Sequence, residues 1–317
     1  MRITRSTVTG LIVLFAVSAG VFVRAGQQPV GQAPTPYPLS PTIRNAGQGV
    51  TPAFEGWYYN KDGSVSLLIG YFNRNAKQEL DVPIGPNNRV EPGGPDQGQP
   101  THFMAGRQFG VFAIKVPKDF GTKELVWTLV ANGQTNVIPM HLKADWVVEP
   151  YLDAGSQNTP PVLKFQPSGP AVTGPPVGTA ASFSTTVPNP LALTAWVTDE
   201  GPKVNVAERP QSGGRGRGAA AARGTTGAPA FPMPPSLSIT WSMYRGPGSV
   251  KFDSAKPSID RADGGKATTT ATFSAPGDYI LRVQANDQSG EGGGGFQCCW
   301  SNAYVAVAVK GGPSTTR

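Results

Sequence analysis

From Phe54 onward the chain alternates apolar and polar residues in short runs broken by turn residues. Val65, Leu67, Ile69 and Tyr71 occupy every second position, which places them on one face of a strand. The turn Asn60-Lys61-Asp62-Gly63 separates this run from Phe54 to Tyr59. An Asp-Gly pair between apolar runs predicts a hairpin, because glycine reaches positive φ at low cost. Further strands are predicted at 109–116, at 124–131 around Trp127, and at 137–148 around Trp146. No convincing 3.6-residue period appears anywhere, so the pattern predicts an all-β fold with a first β-sandwich over 51–150.

The second half repeats the texture more sharply. Leu191, Leu193, Ala195 and Val197 alternate, as do Leu237, Ile239, Trp241 and Met243; Thr269, Ala271 and Phe273; and Tyr279, Leu281, Val283 and Ala285. Each set marks one buried strand face, and together they predict a second sandwich over 180–311. A linker at 151–179, with Pro160-Pro161 and Pro175-Pro176, is expected between the two. Residues 202–235 form an insertion centred on the Gly/Arg/Ala-rich stretch 213–224, whose low complexity predicts disorder. A glycine tongue at 290–300 precedes the last strand.

Four stretches, 191–201, 237–252, 271–283 and 303–309, together resemble the bacterial PKD-like, immunoglobulin-fold modules of secreted and surface proteins. The resemblance implies an immunoglobulin-like β-sandwich with Trp241 in its core, a Gly-Pro-Gly turn at 246–248, and Tyr279 as the tyrosine that locks a sandwich corner. The first sandwich resembles no family from which a function could be carried over.

The start of the chain changes the picture from fold to destination. Arg2 and Arg5, the apolar run Leu11 to Val23 and the small residues at Ala25-Gly26 give the order of a secretory signal over 1–26, with cleavage expected after Ala19 or near Ala25. The apolar run is too short for a membrane span, and no later stretch is apolar enough to make one. Residues 27–50, with five prolines, are expected to be an extended tether, and the product is expected to be periplasmic or extracellular. The 40 Gly and 32 Pro favour strands and turns over helices. The formal charge of +7 falls by three to +4 once Arg2, Arg5 and Arg24 are removed. No basic stripe is interleaved with aromatics, so nucleic acid is not an expected partner.

Candidate chemistry is sparse. The two cysteines, Cys298 and Cys299, are adjacent and cannot staple distant strands. They either close a vicinal disulfide, seek an outside partner, or stay free on a strand. Two histidines, His102 and His141, exclude a His-rich metal site and leave few bases for a Ser-His-Asp arrangement. No nucleophile elbow, Walker loop or dinucleotide fingerprint occurs in a strand-to-helix context, so no enzyme and no cofactor are expected. The stretch 81–107 carries almost no strand signal, and long loops in compact domains are often binding loops. Its candidate ligand-binding residues are Asp81, Glu91, Asp96 and His102; the run Trp57, Tyr58 and Tyr59 adds aromatics that cannot all point inward. Asp199, Glu200, Asp287 and Glu291 are weak candidates for calcium, without an Asp-x-Asp-x-Asp pattern. The favoured reading is an exported, non-catalytic structural or interaction protein with an unknown protein or glycan partner. The alternative is an extracellular carbohydrate-binding protein or hydrolase accessory using Trp57, Tyr59 and the 81–107 loop.

Overall fold

The computed structural model describes residues 44–201, 237–287 and 298–312. The expected signal segment, the expected tether as far as residue 43, the 202–235 insertion, and the 290–297 part of the expected glycine tongue with Glu291 lie outside the described residues. Sixteen strands and a single 3-10 turn account for the regular structure among them, so the fold is all-β. No helix among the described residues is long and apolar enough to cross a membrane.

The first apolar core lies between two small sheets. Strands β1 (Val50–Tyr59), β2 (Val65–Asn73) and β6 (Gly106–Val116) form one antiparallel sheet; β4 (Asn88–Glu91), β7 (Leu125–Ala131) and β8 (Gln134–Met140) form the other. The expected hairpin joins β1 to β2, with Gly63 at φ 76° and the Asp62 carboxylate accepting from the Ser64 amide at 3.0 Å. Leu67, Ile69, Phe103, Phe112 and Trp127 fill the space between the sheets. The strand expected over 137–148 ends at Met140; Ala144–Trp146 is a 3-10 turn, and Trp146 lies against Phe54 at 5.3 Å with much of its ring exposed.

The 81–107 stretch is not a structureless loop. It carries β4 and, with Leu80, the two-residue strands β3 (Leu80–Asp81) and β5 (His102–Phe103), which pair with each other. One buried side chain organises it. Asn88 donates from Nδ2 to the carbonyls of Val82 and Pro100, both at 2.8 Å, and its Oδ1 accepts from Trp127 Nε1 at 3.0 Å. Apolar periodicity cannot reveal a segment held in this way by one fully satisfied polar residue.

The second core lies between two four-stranded sheets. Its strands are β9 (Val162–Lys164), β10 (Thr179–Thr186), β11 (Leu191–Thr198), β12 (Leu237–Arg245), β13 (Val250–Phe252), β14 (Lys266–Phe273), β15 (Gly277–Asp287) and β16 (Trp300–Lys310). The alternating residues of 193–197, 239–243 and 279–285 point into this core, with Trp241 fully enclosed. Tyr279 is buried and donates its hydroxyl to the Ala275 carbonyl at 2.8 Å, while Gly246 leaves room for its ring. The 151–179 segment is more than a linker: Val162–Lys164 pairs with β11, and Val172 bridges Leu163. The last residues of the tether are likewise tied down, since the Arg44 and Asn45 carbonyls accept from the amides of 76–78.

Both cores belong to one compact unit that begins at residue 43. The β1-β2-β6 sheet buries Leu67, Ile69 and Tyr71 in the first core, which Tyr244 of β12 joins and against which Ile280 and Tyr304 pack, while Leu68 on its opposite face packs with Trp300 of β16. A polar seam closes that junction. Glu55, buried at the β1 bulge, accepts from Arg107 Nη2 at 2.6 Å and from the Gly110 amide at 2.7 Å. Arg282, 3 % exposed, donates to Gln108 Oε1, the Phe109 carbonyl and Asn302 Oδ1, each at 2.9 Å. Asn302 and Tyr304 return bonds to the carbonyls of Gly110 and Val111 at 2.9 and 2.7 Å. At the rim Arg245 forks onto both oxygens of Asp96 at 2.8 and 3.0 Å.

Candidate functional site

The seam-facing side of the β1-β2-β6 sheet changes character along its length. Gly56, Leu68 and Ala113 are aligned across the three strands, and Leu68 and Ala113 pack with Trp300. The next row outward is Tyr58, Ser66 and Lys115. A cleft of about 510 Å³ lies beside this row. Tyr151 and the segment 171–178 form the opposite wall.

Hydrogen bonds set the wall in place. Gly174 donates to Ser301 Oγ and accepts from the Asn302 amide, both at 2.9 Å, which ties the segment to β16. Gly174 sits at φ 73°, and a β-carbon there would come within 2.8 Å of the Tyr151 ring, so only glycine fits both the backbone and the ring. The Tyr151 ring meets Tyr58 edge-on at 5.8 Å, with the Lys61 ammonium 5.3 Å from its centre.

On the floor, Asn60 Nδ2 donates to Ser66 Oγ and Ser64 Oγ at 2.9 Å, and Lys115 pairs with Asp62 at 2.9 Å. Hydrogen bonds from Ser64 and then from Lys115 hold Asp62 below the usual carboxylate range. Lys61 reaches the Thr173 hydroxyl at 3.3 Å. Tyr58 is 1 % exposed, and its hydroxyl is enclosed with no hydrogen-bond partner among the described residues. Burial pushes that hydroxyl's pKa up, with Ser66 and Tyr151 close enough to act on it yet outside bonding geometry.

A smaller cleft of about 340 Å³ shares Lys61, Tyr151 and Thr173 with the first and carries Asp199 and Glu200. Burial, then the charge of Asp287, raises Asp199 to about 6. Asp287 accepts from Asn158 Nδ2. Among the described residues no group of three or more His, Cys, Asp or Glu side chains is placed to hold a metal ion, and Asp199, Glu200 and Asp287 do not make one.

The other sequence candidates fall in separate places. Trp57 is a core residue, 8 % exposed, with Nε1 donating to the Lys143 carbonyl at 2.7 Å, so it is no surface platform. Tyr59 is the exposed member of the aromatic run, at 60 %. His102 lies between two carboxylates, Nδ1 at 2.8 Å from Asp81 and Nε2 at 3.2 Å from Glu79. Burial opposes its charge, but the bonds to Glu79 and Asp81 outweigh burial and raise its pKa. Glu91 pairs with Arg89 and Asp96 with Arg245, so neither joins His102. Cys298 and Cys299 are joined as a vicinal disulfide and are buried beside Trp300 in sequence. His141 is buried just beyond β8, stacked edge-on with Phe54 and Trp146.

Ser66, Lys115, Lys61 and Tyr151 were not singled out by sequence. The first two join Tyr58 only through strand register across three strands, a relation that no linear spacing displays.

Fold and cleft together define an all-β protein built from packed β-sheets. No family model and no curated protein matches the chain. Similar solved structures include domains 4–9 of the surface-layer protein SbsC, at 9 % identity and a TM-score of 0.24, covering 84 % of this chain and 31 % of that one. The D00-D0 domain of intimin aligns at 8 % identity and a TM-score of 0.24, covering 82 % of this chain and 98 % of that one. The titin Ig tandem A164-A165 aligns at 9 % identity and a TM-score of 0.22, covering 84 % and 100 %. Overlaps this loose transfer neither role nor partner.

Proposed function

We propose that the chain is an exported, non-catalytic interaction protein in which the second sandwich buttresses the first and the two share one binding cleft. The observation that carries this reading is the buried seam from Glu55 to Arg282, which fixes the β1-β2-β6 sheet against β15 and β16. A fixed junction suits a cleft whose floor and wall come from opposite sides of it, because a preset site spends less affinity on ordering. The imidazole best placed for catalysis, His102, has both nitrogens engaged by carboxylates, which leaves neither free to act as a base. Export rests on the leader-like order of residues 1–26. The PKD-like and immunoglobulin-like texture of the second half fits the same reading.

The test is co-sedimentation of the mature protein with a panel of extracellular polysaccharides and peptidoglycan, with released fragments measured in the same tubes. Retention by a polymer that stays intact is the expected result. Release of new reducing ends or peptides would replace the reading with an enzymatic one, and no retention on any polymer would remove its support.

A further inference from the structure

We infer that the outer face of the sheet ordered β13-β14-β11-β9 is a docking surface for an anionic polysaccharide, one ring of which rests on Trp196 while its acid groups meet Lys164 and Lys251. The first core is contacted through Tyr244, Ile280 and Tyr304, which belong to the other sheet. The inference therefore goes beyond the cleft reading above and does not depend on it.

Strand alternation decides what this face carries. Leu193, Ala195, Val197, Ala267, Ala271 and Phe273 point into the second core, so their neighbours along β11 and β14 point outward. Trp196, half-buried, is paired with Lys164 of β9 on one side and with Lys266 of β14 on the other. Cross-strand partners share a face, with β-carbons about 5 Å apart. Thr194 pairs with Thr268, their hydroxyls 3.2 Å apart, and the exposed Lys251 of β13 pairs with Thr272. No outward position of these four strands is acidic. The face is basic and hydroxylated around a single indole. Lysines on edge strands also keep edges from pairing, but Lys266 and Trp196 sit on the two inner strands, where no edge needs guarding.

The lining selects the ligand class. A groove of about 520 Å³ beside Trp196 is lined by Lys164, Pro167 and the turn 262–264. Asp263, the acid in that lining, is taken up by Lys266 at 3.0 Å. Among the described residues neither Lys164 nor Lys251 is paired with a carboxylate. Asp199 and Glu200 follow β11 at the end away from Lys251, so an anion is favoured in the direction from Trp196 along β14 to Lys251. That path, Lys266 to Thr272, is roughly 20 Å long, which a chain of several rings fills and a single ring does not. The threonine hydroxyls donate and accept towards ring hydroxyls, and the indole meets the C–H face of a sugar, which favours a glycan over an acidic peptide.

Calorimetric titration of the mature protein with oligogalacturonate, a neutral dextran oligosaccharide, polyglutamate and a single-stranded oligonucleotide tests the inference. Oligogalacturonate is expected to bind at least tenfold more tightly than each of the others, and less tightly as salt is raised. Trp196→Ala is expected to weaken it at least fivefold. Lys164→Gln combined with Lys251→Gln is expected to weaken it at least tenfold and to flatten the salt dependence, whereas Lys118→Gln combined with Lys123→Gln, the same charge change between β6 and β7, leaves both intact. The lysine pair keeps the test open if Trp196→Ala lowers the melting temperature, because Lys164 and Lys251 lie outside the core. No oligogalacturonate binding, equal binding of dextran, polyglutamate or the oligonucleotide, or an unaffected lysine pair would each overturn the assignment. If polymer retention persists undiminished in both the Trp196 and the lysine variants, this face fails and the interaction reading stands; if the wild type is retained by nothing, both fail.

Discussion

Two buried polar residues behave in opposite ways. Tyr58 keeps a hydroxyl with nothing to bond among the described residues, and leaving such a group unsatisfied costs about 1–3 kcal/mol. Tyr58→Phe is therefore expected to stabilise the free protein by about 1 kcal/mol, read as a higher urea midpoint at unchanged m-value. Glu55 is fully bonded, yet burial pushes its pKa up to about 7, with Arg107 and the Gly110 amide pulling the other way. Unfolded, the group titrates near 4.5. Between these values the folded chain holds a proton that the unfolded chain has lost, so stability is greatest below the lower one and falls as pH rises towards 7. The full change is on the order of 3 kcal/mol. His102, also raised, acts in the same sense: its contribution is complete below the unfolded histidine value and is lost as pH climbs through the folded one. Denaturation midpoints at pH 5 and pH 8 should thus drop in the wild type and drop less in Glu55→Gln. An identical drop in both would show that Glu55 is ionised throughout.

Among the elements, apolar alternation made the second-core strands legible, because Leu193, Ala195, Val197, Ile239, Leu281 and Val283 each bury the face that their spacing assigned. The β1–β2 hairpin was legible for a related reason, since Asp62-Gly63 demands the turn that it makes. The same rule hid β4, whose pairing depends on Asn88, and misplaced Trp146 in a strand that stops at Met140. It also hid the cleft: Tyr58 drew attention as an aromatic, but Ser66 and Lys115 are unremarkable until register sets them beside it. Asn88→Ala offers the direct check. It strands the Trp127 Nε1 donor and the Val82 and Pro100 carbonyls in the interior, an expected loss of about 3 kcal/mol. Hydrogen exchange should show faster loss of protection across 82–103 than across β15 or β16; uniform acceleration would mean that Asn88 supports the whole body and not this segment alone.

For the whole molecule the issue is whether two cores behave as one. Each core alone has the composition of an ordinary sandwich, and Trp241→Ala in the second should cost about 3–5 kcal/mol wherever the boundary lies. What couples them is the seam, in which Arg282 delivers charge-assisted bonds to Gln108 and Phe109 and Trp300 fills the space beside Gly110. Gly110 sits at φ 53°, and a β-carbon there would come within 1.9 Å of the Trp300 ring, so the first core leaves room for a side chain supplied by the second. Removing either partner leaves buried groups unpaired or a void, without touching the interior of either core. The wild type is therefore expected to melt in one calorimetric transition. Arg282→Met and Trp300→Ala are expected to split it in two, the β1-β2-β6 side melting first because its sheets are smaller. Cleft affinity should fall in both variants, although neither residue lines the cleft, because floor and wall would no longer be held at a fixed separation. One sharp transition retained in both variants would instead mean that the cores are coupled through β12 and the Asp96–Arg245 fork at the rim.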